Sequence, residues 1–169
     1  MNEGKPVKDS IVIHEKLMMP SDSNPSWRGG AVELGAINGG SILNLIDNVA
    51  GLTAIRHCRS RVVTASIDRM DFLNPVHVGE LLILRASVNY TGTKSLEVGV
   101  RVETENLNTG ETSKTGSAYL TFVAVDEFGR AIPVPPVLPQ SEDEKRRFED
   151  AKQRKTKRME LVKSNKMKK

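Results

Sequence analysis

Asp47 is the residue of this 169-residue chain whose surroundings most call for chemistry. It stands in the run Leu45-Ile46-Asp47-Asn48-Val49-Ala50, well past the first turn of what reads as a helix. A carboxylate buried among apolar groups without a partner costs about several kcal/mol, so it needs a hydrogen-bond donor or a task as general base or nucleophile. Asn44 and Asn48 extend a polar strip along the same part of the helix. The alternative is purely structural: Asp47 ties the helix to a loop, or lies at an exposed edge. Upstream, Gly39-Gly40 precedes Ser41 at the helix start. Backbone N–H groups there, unobstructed by side chains, suit the oxyanion formed when a carbonyl is attacked. The same pair also reads as an ordinary glycine-rich turn.

The remaining polar residues are less specific. His14, His57 and His77 fall on a strand, a helix end and a loop, with no pair at metal-ligand spacing, and read as structural or exposed. The nucleophile elbow G-x-S-x-G of a serine hydrolase is absent. Cys58 follows His57, but adjacent helical residues point about 100° apart, so the pair does not read as an activated thiol. Arg56, Arg59, Arg61 and Lys94 gather around the helix end and one hairpin. They suit phosphate groups, and equally a solvated surface.

Positioning these residues falls to one helix and a sheet. Residues 11–19 read as a first strand stopped by Pro20, followed by a loop rich in Ser, Asn, Pro and Gly. From Ser41 to His57 the apolar residues Ile42, Leu43, Leu45, Ile46, Val49, Ala50, Leu52, Ala54 and Ile55 point in nearly every direction, the mark of a buried helix. Asn38 or Ser41 can cap its start. The period then changes to two. Residues 61–72 are rich in β-branched side chains; Leu82, Leu84, Ala86 and Val88, then Leu96, Val98, Val100 and Val102, alternate with polar neighbours. Residues 115–125 are apolar on both faces and so are expected in the middle of a sheet. The order of strand, buried helix and four strands joined by tight turns predicts an α+β architecture. An antiparallel sheet wraps one long helix in a hot-dog arrangement, and a second subunit can cover what the sheet leaves open.

The bulk properties exclude several classes. Hydrophobic residues make up 38% and charged residues 27%, the balance of a folded soluble domain. No apolar run approaches the roughly 20 residues of a membrane span, and the N-terminal residues carry no apolar signal core. The single cysteine forms no internal disulfide, so a cytoplasmic setting is expected. The net charge of +4 belongs to the C-terminus: residues 141–169 hold 12 basic and 6 acidic side chains, the other 140 residues 13 and 15. Nucleic acid is therefore not an expected partner of the folded part. A proline-stiffened segment, residues 132–139, separates a domain spanning residues 1–139 from a basic helical tail over residues 140–169. The tail opens with a capping box, Ser141 and Glu144, and carries a thin apolar stripe of Phe148, Ala151 and Met159. That stripe either docks on a neighbour or leaves the helix mostly solvated.

In sequence the chain resembles the hot-dog acyl-CoA thioesterases of the brain acyl-CoA hydrolase and short bacterial type. The resemblance runs through Met19-Pro20-Ser21-Asp22-Ser23-Asn24, Gly39-Gly40, Asp47-Asn48-Val49-Ala50-Gly51 and Arg56-His57-Cys58. It continues in Val62-Val63-Thr64-Ala65-Ser66, Asp71-Phe72-Leu73-Asn74-Pro75, Val78-Gly79-Glu80, Thr121-Phe122-Val123 and Pro133-Val134-Pro135-Pro136. It implies hydrolysis of fatty acyl-CoA to free CoA and a carboxylic acid, with no cofactor beyond the CoA of the substrate. Asp47 then takes the place of the helix general base or nucleophile, Asn24 that of the loop asparagine, and Gly40 or Ser41 that of the oxyanion donor. Arg59, Arg61 and Thr64, with the hairpin Gly92-Thr93-Lys94-Ser95, fall where CoA is held. Active sites between subunits imply a dimer at least, and commonly a trimer of dimers. Asn24 lies farther from Gly39 than the family asparagine does, because of an extra segment, residues 27–35, that carries Trp27 and Glu33. Asn38 or Glu33 is thus an alternative second residue. The same fold also serves non-catalytic acyl-CoA-binding regulators and enoyl-thioester dehydratases. The latter use a histidine near the helix acid, and none is near Asp47 in sequence.

Overall fold

The computed structural model describes residues 3–24, 35–68 and 70–166; Trp27 and Glu33 lie outside them. After a two-residue strand β1 (Lys5–Pro6) and a 3-10 turn over Val7–Ser10 comes β2 (Val12–Leu17), shorter at both ends than the apolar run suggested. The helix α1 (Gly39–Cys58) follows, then β3 (Arg61–Ile67), β4 (Asp71–Phe72), β5 (Leu81–Thr91), β6 (Ser95–Glu105) and β7 (Thr112–Val125). A short β8 (Val137–Leu138) and the helix α2 (Glu142–Lys166) complete the chain. The large sheet runs β2-β5-β6-β7-β3, antiparallel throughout, with β4 also pairing on β7. This is the hot-dog fold. The single strand expected over residues 61–72 is broken in two. The register on β7 slips between Thr64 and Ser66, and beyond Ile67 the chain turns out at Asp68, whose amide still donates to Tyr119.

The alternation seen in the sequence sets the layers. Leu84, Ala86 and Val88 stand opposite Val102, Val100 and Val98, and Val100, Val98 and Leu96 opposite Ala118, Leu120 and Phe122. All are buried, and they form one core with Ile42, Ile46, Val49, Ala50 and Ala54 of α1. Burying a residue such as Ile46 contributes roughly 1.5–3 kcal/mol, so this inner face holds the helix in place. The helix is not buried all round: Leu52 is 55% and Ile55 45% exposed. The sheet covers only one side of α1, and the flank toward the outermost strand β3 is open, as the exposed Ile67, opposite the core residue Leu120, also shows.

The chain after β7 crosses the end of α1. Val134 and Val137 are buried, β8 pairs in parallel with β1, and the Pro135 carbonyl lies 3.0 Å from His57 Nε2. That contact fixes the proton on Nε2, because a carbonyl only accepts. Ser10 Oγ lies 3.3 Å from the other ring nitrogen, so the fully buried His57 is a structural clamp. Burial pushes its pKa down, and the Pro135 carbonyl only partly offsets this. Helix α2 begins with the expected capping box, since Glu144 N–H donates to Ser141 Oγ and Ser141 N–H to Glu144 Oε2. It packs on the outer face of its own sheet. Ala151 is fully buried, Phe148 meets the Tyr90 ring, and Arg154 and Arg158 pair with Glu97 and Asp68. Met159, the third residue of the apolar stripe, is 49% exposed and takes no part in that docking.

Candidate functional site

Asp47 projects from the third turn of α1 toward β3, where Thr64 Oγ1 donates to its Oδ1 at 2.9 Å. The expectation of a deeply buried carboxylate needs correcting: in the single chain Asp47 is half-buried, because the open flank of α1 begins here. Thr64, expected at the CoA site, is the side chain that orients Asp47. The sequence offered a signal for this: on β3 Val62 and Thr64 alternate onto one face, and the half-buried Val62 marks it as the face toward the core. Asn48 donates to Asn44 at 3.0 Å, so the polar strip is partly self-satisfied and exposed.

The start of α1 is capped more tightly than a free anion cradle. Asn38 Oδ1 accepts from Gly40 N–H at 2.8 Å, and the Asn38 carbonyl accepts from Ser41 N–H at 3.0 Å. Both expected oxyanion donors are therefore occupied by Asn38, which serves as N-cap. The missing side chain at Gly40 permits this, since a Cβ there would lie 3.2 Å from Asn38 Oδ1. Gly39 N–H has no partner among the described residues, and Gly39 lies under the ring of Phe72.

Asn24 sits beside this helix start despite its distance in sequence. Its N–H donates to the Ala36 carbonyl, Ser23 bridges Ile37, and Asn38 N–H donates to the Asp22 carbonyl. The chain leaves at Asn24 and returns at Gly35 to the same place, so the extra segment does not carry Asn24 away. Asp22 is itself fixed: the hydrogen bond from Lys16, with that from Met19 N–H, holds its carboxyl below the usual range.

The residues expected to hold CoA gather at one end of the sheet. Arg61 stands opposite Val125 and Ser95 opposite Val123, while the Lys94 carbonyl accepts from Ala124 N–H. Arg59 closes α1 in the left-handed conformation, with φ 55°. The hairpin turn is shut by Gly92 N–H donating to the Ser95 carbonyl, and Thr93 accepts from Val134 N–H. Arg59, Arg61 and Lys94 are exposed, and Thr64 lies only three residues along β3 from Arg61, about 10 Å. Arg56 does not join them; its guanidinium donates to the Ile11 carbonyl at 2.6 Å. The sequence reading missed Lys155 of α2, whose ammonium stands 5.0 Å from the Tyr90 ring centroid, at the Gly92 turn. Burial pushes the Cys58 thiol up to about 11, so it is inert near neutral pH.

Comparison with known proteins identifies the fold's lineage. The thioesterase superfamily model matches residues 34–111. The acyl-CoA thioester hydrolase YkhA of Bacillus subtilis is 39% identical over 137 residues, 81% of this chain and 75% of that protein. The chain belongs to the hot-dog acyl-CoA thioesterase family. Among solved structures, an apo-hexameric acyl-CoA thioesterase superposes with a TM-score of 0.87 at 46% identity, covering 95% of this chain and 97% of the other. The Staphylococcus aureus acyl-CoA hydrolase, solved with butyryl coenzyme A, coenzyme A and coenzyme A disulfide, gives 0.82 at 32% identity over 96% and 97% of the two chains. That hydrolase has also been solved with an aspartate, an asparagine or a threonine replaced by alanine. Its aspartate and threonine are 17 residues apart, the separation of Asp47 and Thr64 here.

Proposed function

We propose that this chain hydrolyses the thioester of fatty acyl-CoA, releasing free CoA and a carboxylic acid, with Asp47 as its reacting carboxylate. Its family makes it a thioester hydrolase. The observation that carries the finer reading is the Asp47–Thr64 hydrogen bond, which fixes one carboxylate oxygen and leaves the other for chemistry. The matching 17-residue spacing in the Staphylococcus aureus hydrolase supports it.

As general base, Asp47 takes a proton from water as the water oxygen bonds to the thioester carbon. The carbonyl π electrons move to oxygen, then return as the C–S bond breaks, and the CoA sulfur leaves with the electron pair and is protonated. As nucleophile, Asp47 attacks the same carbon to give a mixed anhydride that water then cleaves. Turnover in 18O water separates the two, because only the second places label in the Asp47 carboxylate. The oxyanion needs an N–H donor, and here the acyl oxygen displaces Asn38 Oδ1 from Gly40 N–H or uses Gly39 N–H. Asn24, held beside the helix start, orients water or the acyl group. Arg59, Arg61, Lys94 and the Gly92–Ser95 turn take the CoA phosphates.

The open flank of α1 leaves Leu52 and Ile55 exposed, together with Ile67 of the edge strand β3, which supports a dimer through that flank. The hexameric relative supports a trimer of dimers. A dehydratase reading is disfavoured because His57, the histidine of α1, is locked between Ser10 and Pro135. The test is a free-CoA release assay over acyl chains of increasing length. Turnover on at least one chain length is expected. Tight binding of the esters without release would replace the enzyme by a binding regulator.

A further inference from the structure

Outside this site, the outer face of the sheet and the first half of α2 enclose an open groove of about 470 Å³. One wall carries Arg85, Arg101 and Lys114 of the sheet, the other Arg146, Arg147 and Arg154 of α2. The small side chains of Ser87 and Ser117 keep the floor low between them. Two cationic walls facing each other across solvent repel unless anions stand between them.

The local carboxylates do not complete that balance. Glu103 serves both Arg85 and Arg101; Asp143 serves both Arg146 and Arg147; Asp150 adds to Arg146, and Glu97 pairs with Arg154. Four carboxylates against six cations leave two positive charges unmatched, and Lys114 has no ion-pair partner among the described residues. Arg147 also has a buried Nε–H with no acceptor among the described residues, although its two other nitrogens bond Ser87 and Asp143. A charge deficit of two, guanidinium forks on one side and a cavity the size of a small-ligand site together describe a receptor for a doubly charged phosphate.

We propose that the groove between α2 and the sheet binds a phosphorylated metabolite through a phosphomonoester dianion or a diphosphate. This site is separate from Arg59, Arg61 and the Gly92–Ser95 turn, and the inference stands whether or not the chain is a thioesterase. The bound phosphate bridges the two walls and so clamps α2 onto the sheet.

The test is calorimetric titration of the full-length protein with inorganic pyrophosphate, beside thermal melts with and without it. Wild type binds saturably and melts higher with pyrophosphate, and affinity falls about tenfold or more as salt rises from about 50 to about 300 mM. Lys114→Gln/Arg146→Gln, both exposed positions, keeps its fold and loses affinity about tenfold or more. Arg59→Gln/Arg61→Gln retains the binding. No saturable binding to wild type would overturn the proposal, and so would binding lost with Arg59 and Arg61 but kept without Lys114 and Arg146.

Discussion

Replacing Arg154 by methionine tests how α2 is held to the sheet. Arg154 Nη2 donates to Glu97 Oε1 at 2.7 Å and Nε to Oε2 at 3.2 Å, while its guanidinium lies 3.7 Å from the Tyr119 ring centroid. Burial alone would push Arg154 down; the bonds to Glu97 outweigh it and hold the pKa above its ordinary value. The Glu97 side chain is only 3% exposed and that of Arg154 25%. Methionine keeps the apolar stem but leaves Glu97 with Asn89 alone, at 3.3 Å. Breaking a buried pair from one side costs about 3–5 kcal/mol, and the partial exposure of Arg154 places this case near about 3. A lost cation–π contact adds about 0.5–1 kcal/mol. The penalty is bounded by what docking of α2 is worth, because the helix can detach before the sheet opens. Urea unfolding followed by circular dichroism, with amide exchange along α2, measures both. Glu97→Gln/Arg154→Met should recover at least half of the loss, since no charge is then buried unpaired. A single variant within about 0.5 kcal/mol of wild type, or a double variant no more stable than the single, would refute this account.

Two further substitutions and a pH series separate roles near the site. Asn38→Ala should cost about 1 kcal/mol through the lost N-cap and change turnover less than about threefold, whereas Asn24→Ala should lower kcat by roughly 100-fold or more at unchanged stability. Urea midpoints and acyl-CoA turnover on the same samples decide between the two asparagines. Stability should fall as pH drops below about 6.5, because His57, depressed in the fold, takes up its proton more readily in the unfolded chain. The slope from this group is at most about 1.4 kcal/mol per pH unit, and His57→Gln should flatten it.

The period of apolar residues exposed most of the fold, because a strand in contact with a helix must alternate whatever its neighbours are. The β5, β6 and β7 faces and the capping box of α2 were legible for that reason. The break between β3 and β4 was not, since a register slip at Thr64 and Ser66 leaves β-branched residues on both sides of it. The all-round apolar pattern of α1 looked like full burial, yet Leu52 and Ile55 are open in a single chain; a pattern reports that a face is to be covered, not by which subunit. Around the proposed site, the sequence pattern put Asp47 on the helix and Gly92 to Lys94 in a tight turn, where the structure has them. It did not foresee Thr64 against Asp47, which depends on how α1 lies across β3. It offered Asn38 as a cap, which the structure bears out, but not that this cap would occupy the very Gly40 amide expected to hold the oxyanion. The docking of α2 on its own sheet rests on ion pairs 57 and 90 residues apart in sequence, which no local window sees.

The central claim is that Asp47 performs the hydrolysis. Free-CoA release by wild type and Asp47→Ala, compared at saturating acyl-CoA, addresses it most directly. The account predicts steady release by wild type and a fall of about 100- to 10,000-fold in the variant, with fold and oligomeric state unchanged. Undiminished release by a folded Asp47→Ala protein would contradict it.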